Sequence, residues 1–309
     1  MDNRFWRKKS ILITGGDNFI GSYITKLLLT TRGVKKEQIS IPSKKVDLRK
    51  LDSAKKTVRG NDIVIHLAGN SAGVGYSNTF PATQFRDCTL IDLAMFEASS
   101  LARVKKFVAI SAAVAYPQNA PNPMKEEYLF DGMPGSTGYG FGFAKRNTVV
   151  LTRAYRQEKG LNAVVVVPSN PYGPRQSIDV ESGHVIPSLI FKCLKQKELS
   201  VWGDGKPLRD YIYAEDLAEG ILLAAEKLDT SDPINLGSGK GTSVKELVDE
   251  IVSVTNFKGK ITYDKTKPKG VPKKLVDISL AQKLLGFQPK WALHKGLEET
   301  VKWVKKEVL

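Results

Sequence analysis

Apolar residues fall along this chain in short runs separated by stretches of helical spacing. Residues 10–14 (SILIT) form a β-branched run that predicts a strand. Residues 20–30 then place Ile20, Ile24, Leu27 and Leu28 on one helix face. Strands are expected at 39–41, 62–67 (DIVIHL) and 106–111 (KFVAIS), and helices at 90–101 and 145–158. Residues 163–168 (AVVVVP) are apolar at consecutive positions, as a strand covered on both faces must be. Such alternation predicts a parallel, doubly wound sheet with right-handed crossovers and helices on both faces.

Beyond residue 169 the pattern changes. Pro and Gly punctuate NPYGPR at 170–175, and WGDGK at 202–206 reads as a turn. Short helices are expected at 245–255 and 280–285, and the Lys- and Pro-rich stretch 258–274 reads as a loop with a short strand. The expected fold class is α/β, a Rossmann-type doubly wound parallel sheet with a smaller C-terminal substrate-binding lobe. Residues 1–170 would form the dinucleotide-binding domain and 171–309 mainly the lobe, with segments near 205–235 returning to the sheet. No long linker, repeat or low-complexity segment interrupts this plan.

Composition narrows the classes. The 309 residues suffice for a sizeable core, with 41% hydrophobic and 26% charged residues, as in ordinary globular proteins. No apolar run approaches the roughly 18–20 residues that span a bilayer. The basic start of the chain leads straight into the first strand and does not read as a signal peptide, so a cytoplasmic location is expected. Cys88 and Cys193 lack metal-like spacing and read as reduced, buried thiols, and His66, His184 and His294 are too scattered for a zinc motif. The net charge of +15 suits a phosphate-bearing ligand. The alternative, nucleic acid, lacks an aromatic-interleaved basic motif, because the lysines are spread along the chain.

One turn carries specific chemistry. ILITGGDNFIG at 11–21 is a strand, a glycine turn and a helix start. Gly15 permits the turn, Gly21 lets the helix pack against the strand, and helix-start N–H groups can hold a pyrophosphate. Asn18 stands where a middle glycine is usual, and its tolerance of positive φ would preserve the turn. After the second strand no acidic residue is placed for a ribose 2′-hydroxyl. Ser43, Lys44 and Lys45 stand there instead, which favours a 2′-phosphate and so NADP, with NAD possible.

Several segments together resemble the extended short-chain dehydrogenase/reductase family, in particular its GDP-L-fucose synthase branch: IHLAG at 65–69, AYP at 115–117, NPYGPR at 170–175, HVIPSLI at 184–190, VWGDGKPLRDYIYAEDLAEGI at 201–221 and NLGSG at 235–239. The resemblance covers nearly the whole chain. It implies cofactor contacts at Gly15, Asn18, Phe19, Ile20, Gly21, Ser43, Lys44, Asp47, Leu48, Leu67, Ala68, Gly69, Lys145 and Pro168. For a nucleotide sugar, with a GDP base expected, it implies Asn170, His184, Val185, Leu189, Trp202, Arg209 and Lys273 or Lys274. Arg209 would pair with the pyrophosphate, and Val185, Leu189 and Trp202 would wall the base.

Catalysis in that family joins Ser or Thr, Tyr and Lys, with Cys and His added for epimerisation. Here the Ser/Thr position is Ala112, the Cys position Val114 and the Tyr position Phe141, within STGYGFGFAK at 136–145. Lys145 and His184 remain as the catalytic candidates. A phenol donates a proton and a benzyl ring does not. Ser111 should face the opposite side of its strand from Ala112. Tyr139 would point about 200° from Phe141 on a helix, and could reach inward only from a loop. Tyr116 reads as a packing aromatic. The implied function is an NAD(P)-binding, nucleotide-sugar-modifying enzyme running an altered epimerase or reductase reaction. The alternative is a catalytically silent homologue that binds both ligands as a sensor or partner of an active paralogue. A homodimer is expected through the helix after Lys145, with no membrane partner.

Overall fold

The computed structural model describes residues 3–136, 138–178, 184–266 and 271–309. Thr137 of the 136–145 segment, and residues 267–270 of the basic 258–274 stretch, lie outside them.

The first part of the chain alternates as its pattern predicts. Strand β1 (Ile11–Thr14) leads into helix α1 (Phe19–Thr31), then β2 (Ile39–Ser40), α2 (Leu51–Val58) and β3 (Ile63–His66). Helices α3 (Val74–Thr79) and α4 (Pro81–Leu101) precede β4 (Lys106–Ile110), and α5 (Tyr139–Lys159) precedes β5 (Ala163–Pro168). Both long helices start earlier than expected, α4 nine residues before 90 and α5 six residues before 145. Pro81 supplies a first helical residue with no N–H to lose, and α5 runs through Gly140 and Gly142.

The remainder forms β6 (Asn170–Tyr172), α6 (Val185–Lys195), β7 (Glu198–Trp202), β8 (Leu208–Arg209), β9 (Tyr211–Tyr213), α7 (Ala214–Lys227), β10 (Ile234–Leu236), β11 (Thr242–Ser243), α8 (Val244–Thr255), β12 (Lys260–Asp264), β13 (Lys273–Lys274), α9 (Ser279–Leu285) and α10 (Leu293–Glu307). Strand β10 joins the main sheet, whose order is β10-β5-β4-β3-β1-β2, all parallel. The chain winds outward from β1 to β2 and then crosses back to β3. Ligands in such sheets sit at the strand C-termini where the winding reverses. Smaller ladders lie apart: β7 pairs with β12, β6 with β9, and β8 lies between β11 and β13.

Side chains alternate between two cores, one on each face of the sheet. Ile11, Ile13, Ile63, Ile65, Val164 and Val166 enter one, which also takes α1 and α7 and continues into the C-terminal lobe through Ile190, Leu199 and Leu247. Leu12, Val64, Phe107, Val165 and Val167 enter the other, with α2, α4 and α5. This two-sided burial is why β5 is apolar at every position. The lobe therefore rests on the sheet through a shared core.

Candidate active site

The turn after β1 is shaped by close contact. Gly15 has φ +71°, and a Cβ on Gly21 would lie 2.2 Å from the Gly15 carbonyl oxygen and 2.5 Å from the Gly16 Cα. Only glycine allows α1 to sit this near the strand end. The left-handed residue is Gly15 alone. Asn18 has φ −83° and is the extended N-cap of α1, so its tolerance of positive φ is not what preserves the turn. The Asn18 amide instead lies 3.4 Å from where a Gly15 Cβ would stand. The first intrahelical bond runs from the Ser22 N–H to the Asn18 carbonyl. The N–H groups of Phe19, Ile20 and Gly21 are left to face an anion. This cradle fits a dinucleotide pyrophosphate.

At the adenosine end the expected residues are partly engaged. Lys44 lies 3.6 Å from the Asp17 carboxylate, both exposed. The Asp47 carboxylate is held by Arg49, through Nε at 2.8 Å and the backbone N–H at 3.1 Å. That contact keeps it below its ordinary pKa. Leu48 is buried in the second core. The Ser43 hydroxyl accepts from the Lys45 N–H. Beside them a recess of about 590 Å³ is lined by Ile41, Lys45, Lys50 and Lys56. Leu67 and Ala68, half-buried, donate their N–H groups to the Thr14 hydroxyl, and Pro168 closes β5.

Lys145 is nearly buried, and its ammonium donates to the Ile110 carbonyl at 3.0 Å. It lies 3.9 Å from the position of a Cβ on Gly69 and 5.9 Å from the Phe141 ring centre. Ala112, Val114 and Phe141 are all half-buried. The neighbouring hydroxyls of Ser111, Tyr139 and Tyr116 do not join them. The Ser111 hydroxyl is spent on the Lys145 carbonyl at 2.6 Å. Tyr139 is 49% exposed and packs on Phe143, because α5 has already begun there, so it does not reach inward. Tyr116 is buried and donates to Asn235 at 2.8 Å, and burial raises its pKa far above the ordinary phenol value.

A buried polar chain below Lys145 escaped the sequence reading. Thr14 and His66 end neighbouring strands in register. The Thr14 hydroxyl oxygen accepts from two N–H groups, so its proton goes to His66 Nδ1 at 2.7 Å. His66 Nε2 pairs with Asp92 at 3.2 Å, and Thr148 donates to the other Asp92 oxygen at 2.5 Å. Burial disfavours the Asp92 charge, but Lys145, His66 and Thr148 outweigh it and hold the carboxyl below its usual range. The signal in sequence was the pairing of two strand-end polar residues, Thr14 and His66.

The lobe brings a second cationic site. Arg209 and Lys274 are register partners on β8 and β13. Burial lowers the pKa of both, and their mutual repulsion adds to it for Lys274, which falls to about 8. Among the described residues no carboxylate pairs with either. The Arg209 guanidinium is steadied by the Leu208 and Val271 carbonyls, at 2.8 and 2.9 Å. Asp210 turns away from Arg209, accepting from Ser169 and Ser238. Lys273 is exposed and pairs in register with Leu208, so Lys274 is the lysine beside Arg209. Asn170 donates to the Asp210 carbonyl at 2.7 Å. Trp202 and Val185 are more than half exposed, whereas Leu189 is buried in the core and is no exposed wall. His184, the N-cap of α6, is exposed at the surface, and desolvation by its surroundings lowers its pKa.

Cys88 and Cys193 are both free and buried. Among the described residues no cluster could hold a metal ion, and no helix is long and apolar enough to cross a membrane.

The cradle, placed where the winding of a parallel sheet reverses, defines a Rossmann-type dinucleotide-binding protein. The chain belongs to the NAD dependent epimerase/dehydratase family, whose model matches residues 11–237. It is 31% identical to a GDP-L-fucose synthase of Sinorhizobium fredii (strain NBRC 101917 / NGR234), over 94% of each chain. The fold matches a GDP-L-fucose synthetase of Naegleria fowleri bound to NADP, with TM-score 0.85, 28% identity, and coverage of 97% of this chain and 94% of that one. It also matches a UDP-glucose 4-epimerase of Thermotoga maritima with UDP-glucose, with TM-score 0.85, 29% identity, and coverage of 97% and 100%. The cofactor class is therefore a nicotinamide dinucleotide.

Proposed function

We propose that the protein is a cytoplasmic, homodimeric enzyme that holds NADP in the glycine cradle and a GDP-linked hexose at Arg209 and Lys274. The reaction is of epimerase or reductase type, altered by the apolar residues at positions 112, 114 and 141. The observation that carries this reading is the Arg209–Lys274 pair. Two desolvated cations side by side, with no acid paired to them among the described residues, are costly unless an anion joins them, and a pyrophosphate supplies that charge. Similarity to GDP-L-fucose synthases over nearly the whole chain supports the base and the sugar class. Lys45, Lys50 and Lys56 around the adenosine-end recess support a 2′-phosphate.

A bound nicotinamide supplies or accepts hydride. The chain itself contributes Lys145, whose ammonium is fixed by the Ile110 carbonyl, and His184, which is held neutral over a wider pH range by desolvation. Exposed Phe85 and Leu93 on α4, and Val150 on α5, give the apolar face for dimerisation.

The second reading, a silent homologue that binds both ligands, is favoured by Phe141, whose ring stands near Lys145 with no proton to give. Calorimetric titration with NADP⁺, NAD⁺ and GDP-mannose, followed by incubation with NADPH and GDP-4-keto-6-deoxymannose, separates the readings. Binding with conversion supports the enzyme, and binding without conversion selects the silent homologue. No binding of either ligand rejects both.

A further inference from the structure

We propose that Tyr76 carries the proton exchanged with the sugar, in place of the phenol that position 141 lacks. The proposal rests on the reading of the site as one that acts on a nucleotide sugar.

Among the described residues, several other hydroxyls of this region are committed elsewhere. Ser111 is tied to the Lys145 carbonyl, Tyr116 to Asn235, and the Ser77 hydroxyl to the Gly73 carbonyl at 3.2 Å. Tyr139 lies on the outer side of α5 against Phe143. Tyr76 differs from all of these. Its oxygen accepts a hydrogen bond from the Asn70 side-chain amide at 3.1 Å. Among the described residues nothing accepts its own proton. The ring is half-buried and rests against Phe80, 5.1 Å between centres.

Its placement is fixed from two sides. Asn70 follows Gly69, beside which the Lys145 ammonium lies. Its backbone is pinned to α4, its carbonyl accepting from Gln84 at 3.0 Å and from the Cys88 thiol at 3.6 Å. On the other side α3 is joined to the start of α5, where the Gly138 N–H donates to Asn78 at 3.3 Å. A Cβ on Gly138 would lie 3.7 Å from the Ser77 Cβ and 3.9 Å from a Val114 methyl. The short helix bearing Tyr76 is thus tied at one side to Asn70, which follows Gly69, and at the other to Gly138.

The chemistry balances on these groups. The Tyr76 O–H bond breaks and its electron pair stays on the phenol oxygen, where the Asn70 N–H faces the negative charge. The proton joins the alkoxide oxygen formed at the sugar. Water then reprotonates the half-exposed phenol. In the oxidative direction the same atoms move in reverse.

The test uses the full chain and its Tyr76→Phe variant, with [¹³Cζ]-tyrosine labelling. The resonance missing from Tyr76→Phe is assigned to Tyr76 and should move when NADP⁺ and GDP-mannose are added together. With NADPH and GDP-4-keto-6-deoxymannose, Tyr76→Phe should lower kcat by about 10²–10⁴-fold with little change in KM. Adding Phe141→Tyr to that variant should recover turnover, which a misfolded protein could not do. Calorimetry runs alongside. If both ligands bind and Tyr76→Phe keeps the wild-type rate, or its resonance stays still, Tyr76 is not the carrier and the nucleotide-sugar reading stands. Binding without turnover by the wild type also overturns the proposal. Binding of neither ligand overturns the reading of the site and this proposal with it.

Discussion

The glycine cradle after β1 and the surface beside Lys145 make opposite uses of small apolar groups. At the cradle, removing side chains creates function. With no Cβ at Gly21 the helix reaches the turn, and its free N–H groups are left able to face an anion. Beside Lys145, the apolar residues Ala112, Val114 and Phe141 give shape without any group that moves a proton. At the cradle the anion would be held by backbone geometry, whereas proton transfer depends on individual side chains. A lineage can therefore keep the first while rebuilding the second.

The sharpest way to break the comparison is at the cradle. Gly21→Ala places a methyl group 2.2 Å from the Gly15 carbonyl, so turn or helix must shift. Overpacking of this kind costs roughly 1–3 kcal/mol of stability. Because the N–H groups move with the helix, NADP⁺ affinity should fall by about 100-fold or more in calorimetry, the equivalent of about 2.7 kcal/mol. Unchanged affinity would mean that the cofactor is held elsewhere.

Arg209→Ala tests the lobe's share of binding. Losing a charge-assisted bond to a pyrophosphate costs about 1.5–3 kcal/mol, so GDP-mannose affinity should drop about 10- to 100-fold while NADP⁺ affinity stays put. A smaller effect is expected beside Lys145. Phe141→Tyr with Ala112→Ser installs a second proton route in a site already served by Tyr76, and should raise kcat by about tenfold against a positioned donor's full 10²–10⁴. A gain at the upper end would show that the wild-type site has no working donor.

Lys274 gives a pH signature. Its folded pKa of about 8 lies below the ordinary lysine value near 10.4. Between those values the folded ligand-free protein has lost a proton that the unfolded chain retains, so stability rises with pH across that window. Below about 8 the full cost of the charged pair is present. GDP-mannose binding should respond in the other sense, weakening above pH 8 by at most about tenfold per pH unit as the cation is lost. Lys274→Met should flatten both profiles, measured by thermal melting and by calorimetry.

The same contrast explains what could be read from sequence. The strands were legible because burial on both faces leaves consecutive apolar residues, as in AVVVVP. The cradle was legible because only glycine fits it. The start of α5 was not legible, because Gly140 and Gly142 argue against a helix by propensity. They are required by tertiary contact: a Cβ would lie 2.5 Å from the Pro81 carbonyl oxygen at Gly140, and 2.8 Å from Pro134 at Gly142. That early start turned Tyr139 outward. Choosing between Lys273 and Lys274 needed the register of a two-residue strand, which composition does not give. Tyr76 lies on a short helix rich in Gly, Ser and Asn, where no apolar period announces a helix.

Asp92 joins the two regions. Its carboxylate accepts from His66, whose other nitrogen reaches Thr14 at the cradle, and from Thr148, one turn beyond Lys145 on α5. Burial opposes its charge, and the Lys145 ammonium leads the favourable contributions that keep the carboxyl ionised to lower pH than usual. A depressed folded pKa contributes stability that is fully present above the unfolded value, near 3.9, and is lost as pH falls through the folded value. Asp92→Asn keeps the shape and one acceptor but removes the charge. It should cost about 1–3 kcal/mol at neutral pH. Because the variant has no carboxylate to protonate, the difference from wild type should shrink below pH 4, as read from urea midpoints at pH 7, 4 and 3. A difference that stays constant across this range would show that Asp92 supports the chain by hydrogen bonding alone, and that cradle and lysine are not linked through its charge.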